Sequence, residues 1–127
     1  MSENDNKEGV ASEETTTDEK NLREANLQRA DLYGADLWRT NLREADLGHA
    51  NLREANLGEA NLELARMDRA NLRNAKLFKA NLNFADLTWA NLRGADLYKA
   101  DLSEARGLSE AILPEGWREA LEAAGLI

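Results

Sequence analysis

Apolar residues recur along this chain at every fifth position. Leu22 opens a series of seventeen centres that ends at Leu102, with Met67 the single substitution. Two residues before each centre, from Ala25 on, stands alanine, and Thr40 is the one exception. One residue before each centre stands Asn or Asp, except at Arg66 and Lys76. The two residues after the centre vary freely, as Arg23-Glu24, Gly48-His49 and Thr88-Trp89 do.

A spacing of five belongs to neither regular structure. Each step would advance about 500° around an α-helix, carrying the leucines over every face. A continuous strand would instead alternate with period two. Ala25 and Leu27 are two residues apart, so in extended backbone they share a face. Ala30 and Leu32 regain that face only if the chain turns between the pairs. Each pentapeptide is therefore a short extended side followed by a corner, and the chain coils into a solenoid with its Ala/Leu pairs inside. Three extended peptide steps make a side of about 10 Å. A triangle of that side leaves too little room for an inward leucine. A square leaves about 5 Å from centre to side, matching the spacing of packed sheets. Geometry thus favours four sides and twenty residues per coil.

These repeats resemble the pentapeptide repeat family. The match covers Asn21–Ala105, and seventeen repeats in register make it specific. The resemblance implies an all-β, right-handed quadrilateral parallel β-helix, with the central Leu and the preceding Ala inside and the other three positions outside. The substitutions agree. Arg66 and Lys76 require a slot that reaches water. Met67 conserves the volume of the leucine it replaces. Thr40 keeps its slot small but brings a hydroxyl that needs a partner indoors. Asn and Asp suit their slot because their side chains bond nearby backbone and favour turns.

The flanks read differently. Residues 1–20 carry seven acids against Lys7 and Lys20, with Val10 the only large aliphatic after Met1. Such a stretch buries too little apolar surface to offset its ordering entropy, so a disordered tail is expected. No apolar lid precedes the first layer, Leu22, Leu27, Leu32 and Leu37. The solenoid itself spans 21–115. At Arg106-Gly107 the period slips by one, and residues 108–115 read as two degenerate closing repeats ended by Pro114. In 116–127, Trp117, Ala120, Leu121 and Ala124 fall on one helical face, and Gly125 is a stop signal. A short capping α-helix over the lower end follows, with a dimer surface as the alternative use of that face.

Composition narrows the function. The 127 residues carry a formal charge of −8 and no cysteine, which excludes disulfide and thiolate chemistry. No stretch reads as a membrane span or a signal peptide, and the expectation is a soluble, cytoplasmic protein. His49 is the only histidine, so no histidine metal cluster forms. The carboxylates stand outward on a convex surface, without the cleft that acid–base chemistry needs. No catalytic residue, metal or cofactor is expected. Summed over the repeats, the four faces carry −3, 0, +1 and +1. Arg53, Arg73 and Arg93 stack on the third face as a basic ladder, more simply read as solvated side chains paired with their neighbours.

Two functions compete. The first is a rigid module for a protein partner, present as a monomer or a weak homodimer through a solenoid end. Its expected patch is Leu64 and Phe84, one coil apart, with Trp89 on the next face and Arg69 placed to stack on the indole. Vertical stacking that merely stabilises neighbouring rungs is the plainer account of the same residues. The second function comes from the resemblance: DNA-mimicking protection of a topoisomerase such as gyrase. Mimicry needs a long acidic stripe, whereas these faces are mixed and about four rungs make a rod of only about 20 Å. No direct nucleic-acid or membrane binding is expected. The inward assignment is testable in denaturant melts. Leu62→Ala should lose about 2–5 kcal/mol, and Arg73→Ala should stay within about 0.5 kcal/mol of the parent.

Overall fold

The computed structural model describes residues 20–127, so the expected tail lies outside the described residues except for Lys20. Parallel bridges join Asn21 to Asn41, Asn26 to Asp46, Asp31 to Asn51 and Asp36 to Asn56, and the offset of twenty continues down to Asp86 and Arg106. Four bridges per coil make four sides. Below, faces one to four carry Leu22, Leu27, Leu32 and Leu37, respectively, in their first coil, and each corner takes the number of the face it ends.

The pentapeptide works because every backbone amide in it has an acceptor. The pentad 45–49 shows all five. Ala45 N–H closes a turn onto Leu42 O at 3.0 Å. Asp46 N–H reaches up to Ala25 O at 2.9 Å, and Leu47 N–H reaches down to Arg66 O at 2.7 Å. Gly48 N–H bonds the Asp46 carboxylate at 3.0 Å. His49 N–H reaches down to Asp68 O at 3.0 Å. Three bonds are thus made within the backbone ladder, one closes the corner, and one depends on a side chain. That side chain explains the Asn/Asp slot: an oxygen on a short stem, aimed at the amide two residues on. At Arg66 and Lys76 the acceptor is missing, and the Asp68 and Phe78 amides make no such bond among the described residues.

The corners have a backbone cost. Fifteen non-glycine residues at the second corner position, from Glu24 to Glu104, adopt φ between 56° and 63°. A left-handed L-residue costs about 1–2 kcal/mol. Burial of a leucine contributes about 1.5–3 kcal/mol, and each pentad supplies one of each. The amide of the strained residue is itself bonded to the next coil, as Glu24 N is to Arg43 O at 2.9 Å.

Inside, Leu42, Leu47, Leu52, Leu57, Leu62 and Met67 are fully buried, with alanines between them. Thr40 is fully buried too, but its hydroxyl finds no partner among the described residues, contrary to the expectation that it would. The slot was built for a methyl group, and the inward neighbours are Leu and Ala.

The two ends differ. At the upper end Leu22, Leu27 and Leu32 are only half-buried, whereas Leu37 is closed over. At the lower end the slip takes the form expected: Asn91 pairs with Ile112, twenty-one residues on. Gly107 makes the passage possible. Its φ is +81°, and a Cβ there would come within 2.4 Å of the Thr88 backbone. Leu108 and Ala111 then enter the core. Helix α1, Trp117–Ala123, follows. It ends at Gly125, φ 75°, where Gly125 N–H bonds Glu122 O at 3.0 Å and Leu126 N–H bonds Leu121 O at 2.9 Å. This paired closure is the Schellman arrangement. The inward face is narrower than expected: Leu121 is buried, and Trp117 and Ile127 pack against the core, but Ala120 and Ala124 are exposed. A helix of two turns resting on one edge has room for a single i, i+4 row. The neighbouring Arg118 anchors it by donating to Ala111 O at 2.8 Å.

The side-chain acceptor can be weighed directly. Asn71 accepts the Arg73 amide at 3.2 Å, and Asn71→Ala should lower the urea midpoint by the equivalent of about 1 kcal/mol. Lys76→Asn restores an acceptor for the Phe78 amide and should raise it by about 0.5–1 kcal/mol.

Candidate interaction surface

With the core filled, the chemistry lies on the outside of the solenoid. Its side chains form columns one coil apart in height. The upper coils are laced by ion pairs: Arg23–Glu44 at 3.3 Å, Arg43–Glu44 at 3.1 Å, Arg43–Glu63 at 3.2 Å and Arg39–Glu59 at 2.9 Å. On face two Arg66, which lacks the oxygen of the usual Asn or Asp, lies 3.6 Å from Asp46 and 3.4 Å from Asp68. Solvent screens pairs this exposed, so each contributes little to stability. Their effect is to neutralise the charges they join.

The expected apolar patch is divided. Leu64 and Phe84 occupy corner one, one above the other, and Trp89 occupies corner two. All three are exposed, at 39%, 43% and 58%. The outward row Asp46, Arg66 and Asp86 of face two runs between the corners, so the three do not merge into one strip. Nor does Arg69 stack on Trp89. Among the described residues the cation–π contacts lie elsewhere: Arg39 over Trp38 at 4.4 Å, Arg53 over Tyr33 at 5.5 Å, Lys79 over Phe78 at 5.2 Å and Lys99 over Tyr98 at 5.4 Å. Three of the four join adjacent residues of one corner. Trp89 follows Thr88, so its own corner supplies no cation. Sequence reasoning missed these contacts, although aromatic–cation dipeptides at the corner positions were the available signal.

Two carboxylates depart from ordinary acidity. Burial alone would raise the pKa of Asp86, but hydrogen bonds from the Thr88 hydroxyl and amide, with Arg106 and Arg66 nearby, hold it below the usual carboxylate value. Asp101 is lowered by the Ser103 hydroxyl and amide. Neither stands in a cleft. A half-apolar groove of about 700 Å³ opens at the lower end, lined by Leu102, Ala105, Leu108, Trp117, Leu121 and Leu126. Among the described residues no group of His, Asp or Glu is placed to hold a metal ion, and no helix is long and apolar enough to cross a membrane.

The pentapeptide repeat model matches in eight copies over 21–58, 45–83, 55–94 and 70–106, more than half of the chain. The chain belongs to the pentapeptide repeat family. Its four-sided solenoid is accordingly the right-handed quadrilateral β-helix of that family. It is similar to the pentapeptide repeat protein Rfr23 of the cyanobacterium Cyanothece 51142, at 38% identity and a TM-score of 0.72, over 73% of this chain and 63% of that one. It is also similar to HetL of the cyanobacterium Nostoc sp. strain PCC 7120, a pentapeptide repeat protein involved in heterocyst differentiation regulation. That likeness has 39% identity and a TM-score of 0.64, over 76% of this chain and 52% of HetL. The chain thus spans less than two thirds of either relative's length. It has no match among curated proteins.

The lowered carboxylates make stability pH-dependent. A carboxyl group whose folded pKa is depressed stabilises the fold above its unfolded value, and that contribution is lost as pH falls through the folded value. For Asp86 and Asp101 the loss begins near the ordinary value of 3.8 and continues below it. Thermal melts should therefore fall more gently below about pH 4 for Asp86→Asn than for the parent. Thr88→Val should raise the Asp86 pKa followed by carbon-detected NMR.

Proposed function

We propose that this pentapeptide repeat protein is a non-enzymatic module that holds a partner protein against its outer columns. The observation that carries this reading is the placement of Leu64, Phe84 and Trp89. Each is a large apolar side chain left in water, and each sits in the left-handed region, at φ 61°, 62° and 62°. Asn or Gly would fit that backbone with less strain, and a charged residue would avoid the exposure. Strained and exposed apolar residues are what a docking surface keeps. The involvement of HetL in heterocyst differentiation regulation supports the same reading. The protein works in the cytoplasm. It is a monomer, or pairs weakly through a solenoid end where the core leucines are half-buried.

The test replaces Leu64 and Phe84 together by Ser and compares capture of host proteins and sedimentation with the parent. The expected result is loss of the captured partner, or of self-association, with the far-UV spectrum unchanged. Retention of every partner with only an earlier melt would make these residues structural. Protection of gyrase from a quinolone in a supercoiling assay would replace this reading with DNA mimicry.

A further inference from the structure

The basic residues of the solenoid are divided between two conditions. Arg23, Arg39 and Arg43, in the upper two coils, and Arg66, in the third, are tied to carboxylates. Arg73, Lys76, Lys79, Arg93 and Lys99 are all exposed and, among the described residues, make no ion pair. These five lie together on the lower halves of faces three and four. Arg73 and Arg93 stand one coil apart in one column; Lys79 and Lys99 do so at the next corner; Lys76 stands on the face between. Every lysine of the repeats is in this group. Arg29 and Arg69, also unpaired, stand apart on corner two, beside Asp46, Asp68 and Asp86. Arg53, one coil above Arg73, is half-buried and lies over the Tyr33 ring at 5.5 Å.

Acids border the group, but among the described residues none makes an ion pair with it. Glu59, one coil above Lys79, is tied to Arg39 at 2.9 Å. Asp96 directs one carboxylate oxygen to the Tyr98 amide at 3.0 Å. Glu115 shares a shallow depression with Arg93 at the lower rim. The five unpaired cations stand together on a chain whose formal charge is −8. Like charges held close repel, so an unneutralised cluster is a standing cost that an anionic ligand would relieve.

Aromatic rings decide which anion fits. Phe78 and Tyr98 stack on each other, with centroids 5.8 Å apart and planes 14° from parallel. Lys79 and Lys99 lie over these rings. Single-stranded nucleic acid is gripped by bases stacking on open aromatic faces, and here each ring stacks on the other and has an ammonium group 5.2 or 5.4 Å from its centroid, which leaves less open face. A carboxylate needs no ring face. It needs donors at the rim, and the rings hold two of them in place. We propose that the lower half of face four, from corner three to corner four, binds an acidic segment of a partner protein, with Arg73, Lys76, Lys79, Arg93 and Lys99 as the carboxylate-binding residues. This surface is separate from Leu64, Phe84 and Trp89, and its test does not depend on them.

The probe is a fluorescein-labelled deca-glutamate peptide, titrated with the full chain and followed by anisotropy at about 50 mM salt, where exposed charges are only partly screened. Saturable binding should weaken at least tenfold in Lys79→Glu/Lys99→Glu. It should hold within twofold in Arg23→Glu/Arg29→Glu, which changes the net charge equally at the upper corners. Circular dichroism checks that both variants fold. Equal weakening by the two pairs, or no binding by the parent, would overturn the assignment. So would tighter binding of a labelled ten-nucleotide oligothymidine than of the peptide. A parent that binds only after Glu13, Glu14, Asp18 and Glu19 are all changed to the corresponding amides would make the chain's own acidic segment the occupant, and would overturn the external partner.

Discussion

The structure depends on one constraint: a coil of twenty residues must place five amides per side, and each must find an acceptor. A buried amide left unpaired costs about as much as a lost hydrogen bond. A period of five meets the constraint with two bonds to adjacent coils along the side, one across the turn, one from the corner to the next coil, and one to the Asn or Asp oxygen. Only the last uses a side chain, which is why that slot is the restricted outward position. Where Arg66 and Lys76 occupy it, the coil still closes, because the other four bonds remain.

A closed coil of this size leaves little freedom inside. Its width accepts one leucine per side with an alanine beside it, and Leu42 through Leu92 are almost completely excluded from water. A buried cleft would require removing inward leucines, each of which contributes about 1.5–3 kcal/mol. Recognition is therefore left to the outer positions, which the ladder does not restrict. Leu64, Phe84 and Trp89 stand there despite the strain of a left-handed corner.

The outer surface is organised vertically. Residues twenty apart become neighbours, so Arg39 meets Glu59, Arg43 meets Glu63, and Phe78 meets Tyr98. Adjacent corner residues add a horizontal contact, as Lys79 does with Phe78. Arg39 and Arg43 have Glu59 and Glu63 one coil below them, whereas Arg73 has Arg93 and Lys79 has Lys99. A rod with modest net charge on each face thus carries one local excess of positive charge. Face sums alone average that excess away.

The sequence by itself determined what repeats. The period of five, the inward Leu/Ala pair, the turn-forming Asn/Asp slot, the twenty-residue coil and the register slip at Gly107 were all legible, because each is imposed again at every side. Tertiary structure decided what does not repeat. It put face two between Phe84 and Trp89, left Arg69 off the indole, turned Ala120 and Ala124 of α1 to solvent, and left the Thr40 hydroxyl unpaired. Freely varying positions carry no pattern that specifies their contacts. Their neighbours come from the coils above and below, and the direction each side chain takes is set by the left-handed corner and by what already fills the space beside it.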